Sequence, residues 1–170
     1  SYARSRPTSL VDPRGLDNPS MGPYAFGPAL SSAWRMNNNA SYGYSPQKDS
    51  FGPGTNKCNK FVDDVLADAG FSPPRRWVGF GGPITAGDWA DPHRNIPGYP
   101  IVTSPEPGDI AAVRYPFSNA TGHVAIVESP GRSTIGAGSG GSHETGWPWD
   151  PSSSPQPVSG AAAVYRRPTP

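Results

Sequence analysis

Gly54-Thr55-Asn56-Lys57-Cys58-Asn59-Lys60-Phe61-Val62-Asp63-Asp64-Val65-Leu66 decides how the chain is read. It joins a polar, Gly/Pro-rich loop to an apolar pattern at helical spacing. Cys58, Phe61, Val62, Val65, Leu66 and Ala69 recur at i, i+3, i+4, i+7, i+8 and i+11, one stripe of an α-helix. Lys60, Asp63, Asp64 and Asp68 fall off that stripe, and Gly70 supplies a C-terminal stop. Thr55 or Asn56 is the expected N-cap. Cys58 is the only cysteine in 170 residues. At a helix start its thiol feels the positive end of the helix dipole, which favours the thiolate, the form that attacks. Cys58 is thus a candidate nucleophile at the edge of the core.

Upstream, proline and glycine alternate through residues 1–27, and no helical or strand period survives there. This segment reads as an arm or linker, with one domain over residues 28–170. Pro28 to Met36 forms a short helix that Asn37-Asn38-Asn39 stops. The 21 glycines and 23 prolines, about a quarter of the chain, gather in residues 1–30, 71–108 and 130–160. Apolar, periodic segments lie between them, so the expectation is a compact domain with long loops. A formal net charge of +1 gives no electrostatic footprint for nucleic acid. No run of 18 apolar residues is present to span a membrane. One cysteine excludes an internal disulfide. The chain begins without Met and without an apolar run behind Ser1 to Arg6, so a fragment or processed form, with no visible signal peptide, is expected.

Downstream, residues 71–108 are irregular, apart from one helical turn at Thr85 to Ala90. Trp77, Phe80 and Trp89 are candidates to line a groove there. Pro107-Gly108-Asp109-Ile110 is a turn entering a strand, with Asp109 fixing the turn through nearby backbone N–H groups. His123-Val124-Ala125-Ile126-Val127-Glu128 follows Gly122 as a buried strand. Further strands are expected at Arg132 to Ser139 and Gly160 to Arg166, with Gly140 to Ser159 as a loop carrying Trp147 and Trp149. The fold class is α+β, with N-terminal helices packed on an antiparallel sheet of about four to six strands.

A thiol hydrolase needs a thiolate, a base beside it and a group that orients the base. Of the three histidines, His93 lies in a polar loop and His143 among glycines. His123 opens the most apolar strand, after a glycine that allows close backbone approach. It is the candidate base.

The ordered set Asn56-Lys57-Cys58-Asn59-Lys60-Phe61-Val62, Pro107-Gly108-Asp109-Ile110 and Gly122-His123-Val124-Ala125-Ile126-Val127 resembles the NlpC/P60 and CHAP amidases. These are papain-like hydrolases that cut amide bonds in bacterial peptidoglycan. The fuller Asn-Lys-Cys-Asn form is similar to amidase domains of interbacterial toxins, type VI secretion effectors among them. The resemblance implies that Cys58 attacks the carbonyl and His123 activates it, with a polar residue on the following strand as orienter. Ser139 and His143 are the candidates for that third place. Asn56, Lys57, Trp77 and Trp89 are the candidates for substrate contact. The alternative reading is a non-catalytic wall-binding module using Trp77, Trp89, Trp147 and Trp149 as platforms.

No cofactor or metal is expected. There is no H-E-x-x-H, and a single Cys cannot make a clustered thiolate zinc site. Gly136-Ala137-Gly138-Ser139-Gly140-Gly141 fits G-x-G-x-x-G but lacks the helix that should follow. The expected partners are a peptidoglycan peptide and a cognate immunity protein, on a monomer secreted or delivered into a target-cell periplasm.

Overall fold

The computed structural model describes residues 27–77, 80–146, 158 and 161–170. The arm at residues 1–26 and the tryptophans Trp147 and Trp149 lie outside the described residues. Helix α1 covers Gly27–Arg35, a 3-10 turn Ala40–Tyr42, and helix α2 Cys58–Asp68. A hairpin, β1 (Arg75–Trp77) and β2 (Phe80–Pro83), precedes the single helical turn α3 (Ala86–Trp89). Six strands follow: β3 (Ile101–Val102), β4 (Ile110–Val113), β5 (His123–Ser129), β6 (Ser133–Gly138), β7 (Gly141–Gly146) and β8 (Val164–Arg166).

α2 forms where its stripe requires. Phe61, Val62, Val65 and Leu66 are wholly buried, each worth roughly 1.5–3 kcal/mol of hydrophobic stabilisation. Tyr42 meets Phe61 edge-on, ring centroids 5.2 Å apart. The helix stops at Gly70, which takes φ +85°. There the Phe71 N–H bonds the Leu66 carbonyl and the Gly70 N–H bonds Ala67, satisfying carbonyls the helix leaves open. The N-terminus differs from expectation. Lys57 occupies the cap position with no side-chain cap bond. Thr55 Oγ1 turns back to the Gly52 carbonyl, and Asn56 reaches out to Asn119. The first amides of α2 are therefore left to the sulfur.

The sheet runs β3-β8-β4-β5-β6-β7, all pairs antiparallel. Its six strands agree with the expected plan, but not as a simple meander, because the C-terminal β8 inserts between β3 and β4. β7 lies in the stretch expected as loop. Its residues, Gly-Ser-His-Glu-Thr-Gly, carry no strand composition. Hairpin pairing to β6 from Gly138↔Gly141 to Ser133↔Gly146 imposes the strand. Alternation splits the sheet cleanly. Ile110, Ala112, Val124, Ile126, Ile135 and Ala137 join α1 and α2 in the main core. Ala111, Val113, Tyr115 and Val127 form a second cluster under Phe117, Ala163 and Tyr165. Asp109 fixes the entry to β4 as expected: its Oδ2 accepts the Glu106 N–H at 2.7 Å, and Arg167 binds the same carboxylate.

Two buried cations staple the loops. The Arg166 guanidinium, 2 % exposed, donates to the carbonyls of Trp89, Asp91, Arg94 and Tyr99. Lys57 Nζ donates to the carbonyls of Gly43 (2.9 Å), Thr55 (3.0 Å), Gly52 (3.3 Å) and Tyr44 (3.4 Å). Burial lowers the Lys57 pKa. The carbonyl cage supplies the partners a buried ammonium needs.

Candidate active site

Cys58 lies at the base of a groove of about 740 Å³. One wall is the loop from Ser50 to Asn56, a second is Phe117 to Gly122, and a third combines Arg76 with Gly82, Pro83, Thr85 and Ala86. The first two walls are tied together. Asn56 Nδ2 donates to Asn119 Oδ1 at 2.9 Å, and Asn119 Nδ2 donates to the Tyr44 hydroxyl at 3.2 Å. Thr121 Oγ1 accepts the Gly87 N–H at 2.8 Å, tying the second wall to α3. Asn59 lines the base and donates to the Ile84 carbonyl.

The sulfur is held against the entry of β5. Cys58 Sγ is 4.0 Å from the Gly122 carbonyl oxygen. The amide of Val124, with those of Asn59 and Cys58 itself, is also directed at the sulfur. The flanking residues of His123 thus bracket the thiol. Gly122 makes this approach possible: a Cβ there would sit 2.1 Å from the Val113 carbonyl oxygen, closer than any side chain tolerates. Close backbone approach at this glycine is what the sequence implied. The thiol is only 5 % exposed. Desolvation raises its pKa, and the three amides only partly offset this. The expected helix-terminus depression is therefore outweighed in the resting site, because α2 begins under the core instead of at the surface.

His123 stands opposite Val113 in the β4–β5 register, which puts its side chain on the sheet face of the second cluster. Its Nε2 lies 3.3 Å from the point where a Gly136 Cβ would stand. Desolvation, with the charge of nearby His143, lowers its pKa to about 4. His143 stands directly opposite Gly136 in the β6–β7 register. Its ring covers the neighbouring glycine, with Cε1 2.4 Å from the place of a Gly138 Cβ. Its Nδ1 is 3.0 Å from the Gly141 carbonyl oxygen. A carbonyl only accepts, so the ring donates from Nδ1, and in the neutral form of His143 the Nε2 keeps its lone pair. Two side-chain-free positions on β6 leave the space over which the imidazoles of His123 and His143 approach. Ser139 sits exposed in the β6–β7 turn, where its carbonyl accepts the Tyr44 N–H.

The other expected contact residues are dispersed. Asn56 lines the groove, but Lys57 is sealed beneath it at 2 % exposure. A lysine this deep keeps its ammonium among carbonyls and cannot reach a ligand. Trp89 is equally buried, packed edge-on against Tyr99 with centroids 5.2 Å apart. It is core because α3 turns its indole inward. Trp77 is 71 % exposed on β1 and stands off the groove lining. Asn59, Arg76, Asn119 and Thr121 line the groove without having been singled out as contacts. Asn119 and Thr121 had a signal in the polar loop just before His123. Arg76 had none, since its hairpin lies in a stretch without period. Among the described residues, no group of three His, Cys, Asp or Glu side chains is placed to hold a metal ion. No helix there is long and apolar enough to cross a membrane.

A buried thiol at a helix N-terminus, packed against the backbone of Gly122 and Val124 at the start of an antiparallel strand, fits the papain-like α+β plan, while the His123 ring itself is directed over Gly136. A family model described as "CHAP domain" matches residues 47–138, just over half of the chain, and the protein belongs to that family. No curated protein and no solved structure matches it. CHAP domains are usually cysteine- and histidine-dependent amidohydrolases acting on peptidoglycan. The matched span contains Cys58 and His123 and ends before His143.

Proposed function

We propose that this protein hydrolyses an amide bond in the peptide of peptidoglycan, with Cys58 as nucleophile and His123 as base. The observation that carries the reading is the bracketing of Cys58 Sγ at the groove base by the Gly122 carbonyl and the Val124 amide, the two neighbours of His123. In the mechanism, His123 takes the thiol proton as Sγ adds to the substrate carbonyl carbon. The oxyanion is met by the Cys58 N–H at the start of α2 and by one further donor from the groove. The C–N bond then breaks, and His123 returns the proton to the leaving amine. Water, deprotonated by the same imidazole, attacks the thioester, releases the acid and restores the thiol.

His123 must present one nitrogen to sulfur while the other is held. Its Nε2 is directed over Gly136, so attack requires the ring to turn its Nδ1 to Cys58. The lone pair on His143 Nε2 is the acceptor for a proton on His123 Nε2. His143 is then the positioning residue for the base, in preference to Ser139, whose place is the exposed turn. The low pKa of His123 and the raised pKa of Cys58 favour a neutral thiol–imidazole resting pair. Substrate binding displaces water from the groove, and proton transfer accompanies attack.

The use of this activity as an antibacterial toxin, delivered to a rival's periplasm and blocked by an immunity protein in the groove, belongs to the same proposal. Digestion of purified sacculi, read as muropeptides by mass spectrometry, tests the chemistry. New amine and carboxyl termini are expected with the wild type and none with Cys58→Ala. Equal digestion by both, or by neither, overturns it.

A further inference from the structure

Among the described residues, the groove is lined by one charged side chain, Arg76. The rest of its lining is small, hydroxyl, amide or aromatic. The neighbouring cations are already committed. Arg75 pairs with Asp63 at 2.6 Å. Lys57 spends its ammonium on backbone carbonyls under the first wall. Arg76 differs. Its Nε donates to the Pro83 carbonyl at 3.2 Å, across the β1–β2 hairpin. That bond fixes the guanidinium plane on the third wall and leaves the two terminal nitrogens without a carboxylate partner among the described residues. Among the described residues, no Asp or Glu lines the groove to offset the charge. A fixed guanidinium fork with free terminal N–H groups matches a carboxylate in two parallel hydrogen bonds.

We infer that Arg76 forms a subsite for a substrate carboxylate, so that this protein selects peptides carrying a free carboxylate near the amide it cuts and discriminates against their carboxamide forms. The inference rests on the hydrolase reading for the bond that is cut, but the selectivity is a property of binding. Converting a carboxylate to a carboxamide removes the charge and replaces one acceptor oxygen by a donor, which then faces the guanidinium N–H groups. The positive charge of Arg76 also disfavours peptides with an ammonium at the same place.

The test uses a synthetic peptidoglycan stem peptide in two forms, one with free carboxylates and one with them converted to carboxamides. Binding is measured by calorimetry on Cys58→Ala, which cannot turn over. The carboxylate form is expected to bind about tenfold tighter, as a charge-assisted hydrogen-bond pair implies. The ratio should shrink in 1 M NaCl. Adding Arg76→Gln should bring the ratio to near one, and Arg76→Lys should leave an intermediate ratio, keeping charge but losing the fork. Equal affinities for the two peptides, a ratio that survives Arg76→Gln, or binding of neither peptide each overturns the inference. A wild-type enzyme that leaves both peptides and sacculi uncut, while the affinity ratio stands, instead overturns the hydrolase reading and leaves the subsite.

Discussion

The sulfur of Cys58 lies 4.0 Å from the carbonyl oxygen of Gly122. That carbonyl is a poor neighbour for a thiolate and a good one for a thiol, whose S–H it accepts. Three amides face the sulfur from other sides, yet burial still raises the thiol pKa above its ordinary value. In the substrate-free protein, Cys58 should therefore alkylate with iodoacetamide more slowly at pH 7 than a free thiol, with the rate climbing as pH rises. The modified residue is identified by peptide mapping. A rate at pH 7 faster than that of free cysteine would mean that the amides dominate.

His123 gives two pH effects with the same sign. Its pKa is lowered from 6.5 to about 4. Between those values the unfolded chain takes up a proton that the folded chain does not. Stability should fall as pH drops through this window, by roughly 1.4 kcal/mol per pH unit at most from this residue, and be flat above it. Urea titrations of wild type and His123→Gln measure the difference, and the variant should lose that slope. In the proposed mechanism the neutral imidazole is the active form. The acid limb of kcat/KM should accordingly lie near pH 4; a limb near 6.5 would contradict the desolvated ring.

His143→Ala should lower kcat about tenfold or more with KM nearly unchanged, because a loosened imidazole spends less time aligned with the sulfur. The acid limb should also move upward, since the charge of His143 contributes to the lowered pKa of His123. His143→Gln should recover part of kcat, its amide oxygen serving as acceptor. Unchanged kcat and pH profile in His143→Ala would remove it from the site.

Lys57→Met tests whether Lys57 builds the groove instead of touching substrate. The Gly43 and Thr55 carbonyls lose their donor at about 3 Å. A loss of about 1–3 kcal/mol in denaturant stability is expected. Affinity for a wall peptide should fall only with the order of the Ser50 to Asn56 loop, read as faster hydrogen exchange there. Weaker binding with unaltered stability and exchange would return Lys57 to direct contact.

What the sequence determined and what only tertiary structure decided differ in the range of the forces involved. α2, its stop at Gly70 and the run from His123 were legible because an apolar period of 3.6 or a β-branched run is a local signal. Gly122 was legible because a glycine before a buried strand has few other uses. β7, by contrast, has no apolar pattern and exists because β6 offers it a ladder. β8 enters the sheet between β3 and β4 through a long-range insertion that local spacing cannot encode. Lys57, Trp89 and Arg76 were misplaced or passed over for the same reason. Whether a cation ends in a carbonyl cage or a groove, and whether an indole turns inward, depends on chain segments far away in sequence. The Cys58 pKa follows the same division. The helix terminus that favours the thiolate is written in the sequence, while the burial that opposes it arises only when α2 packs under the sheet.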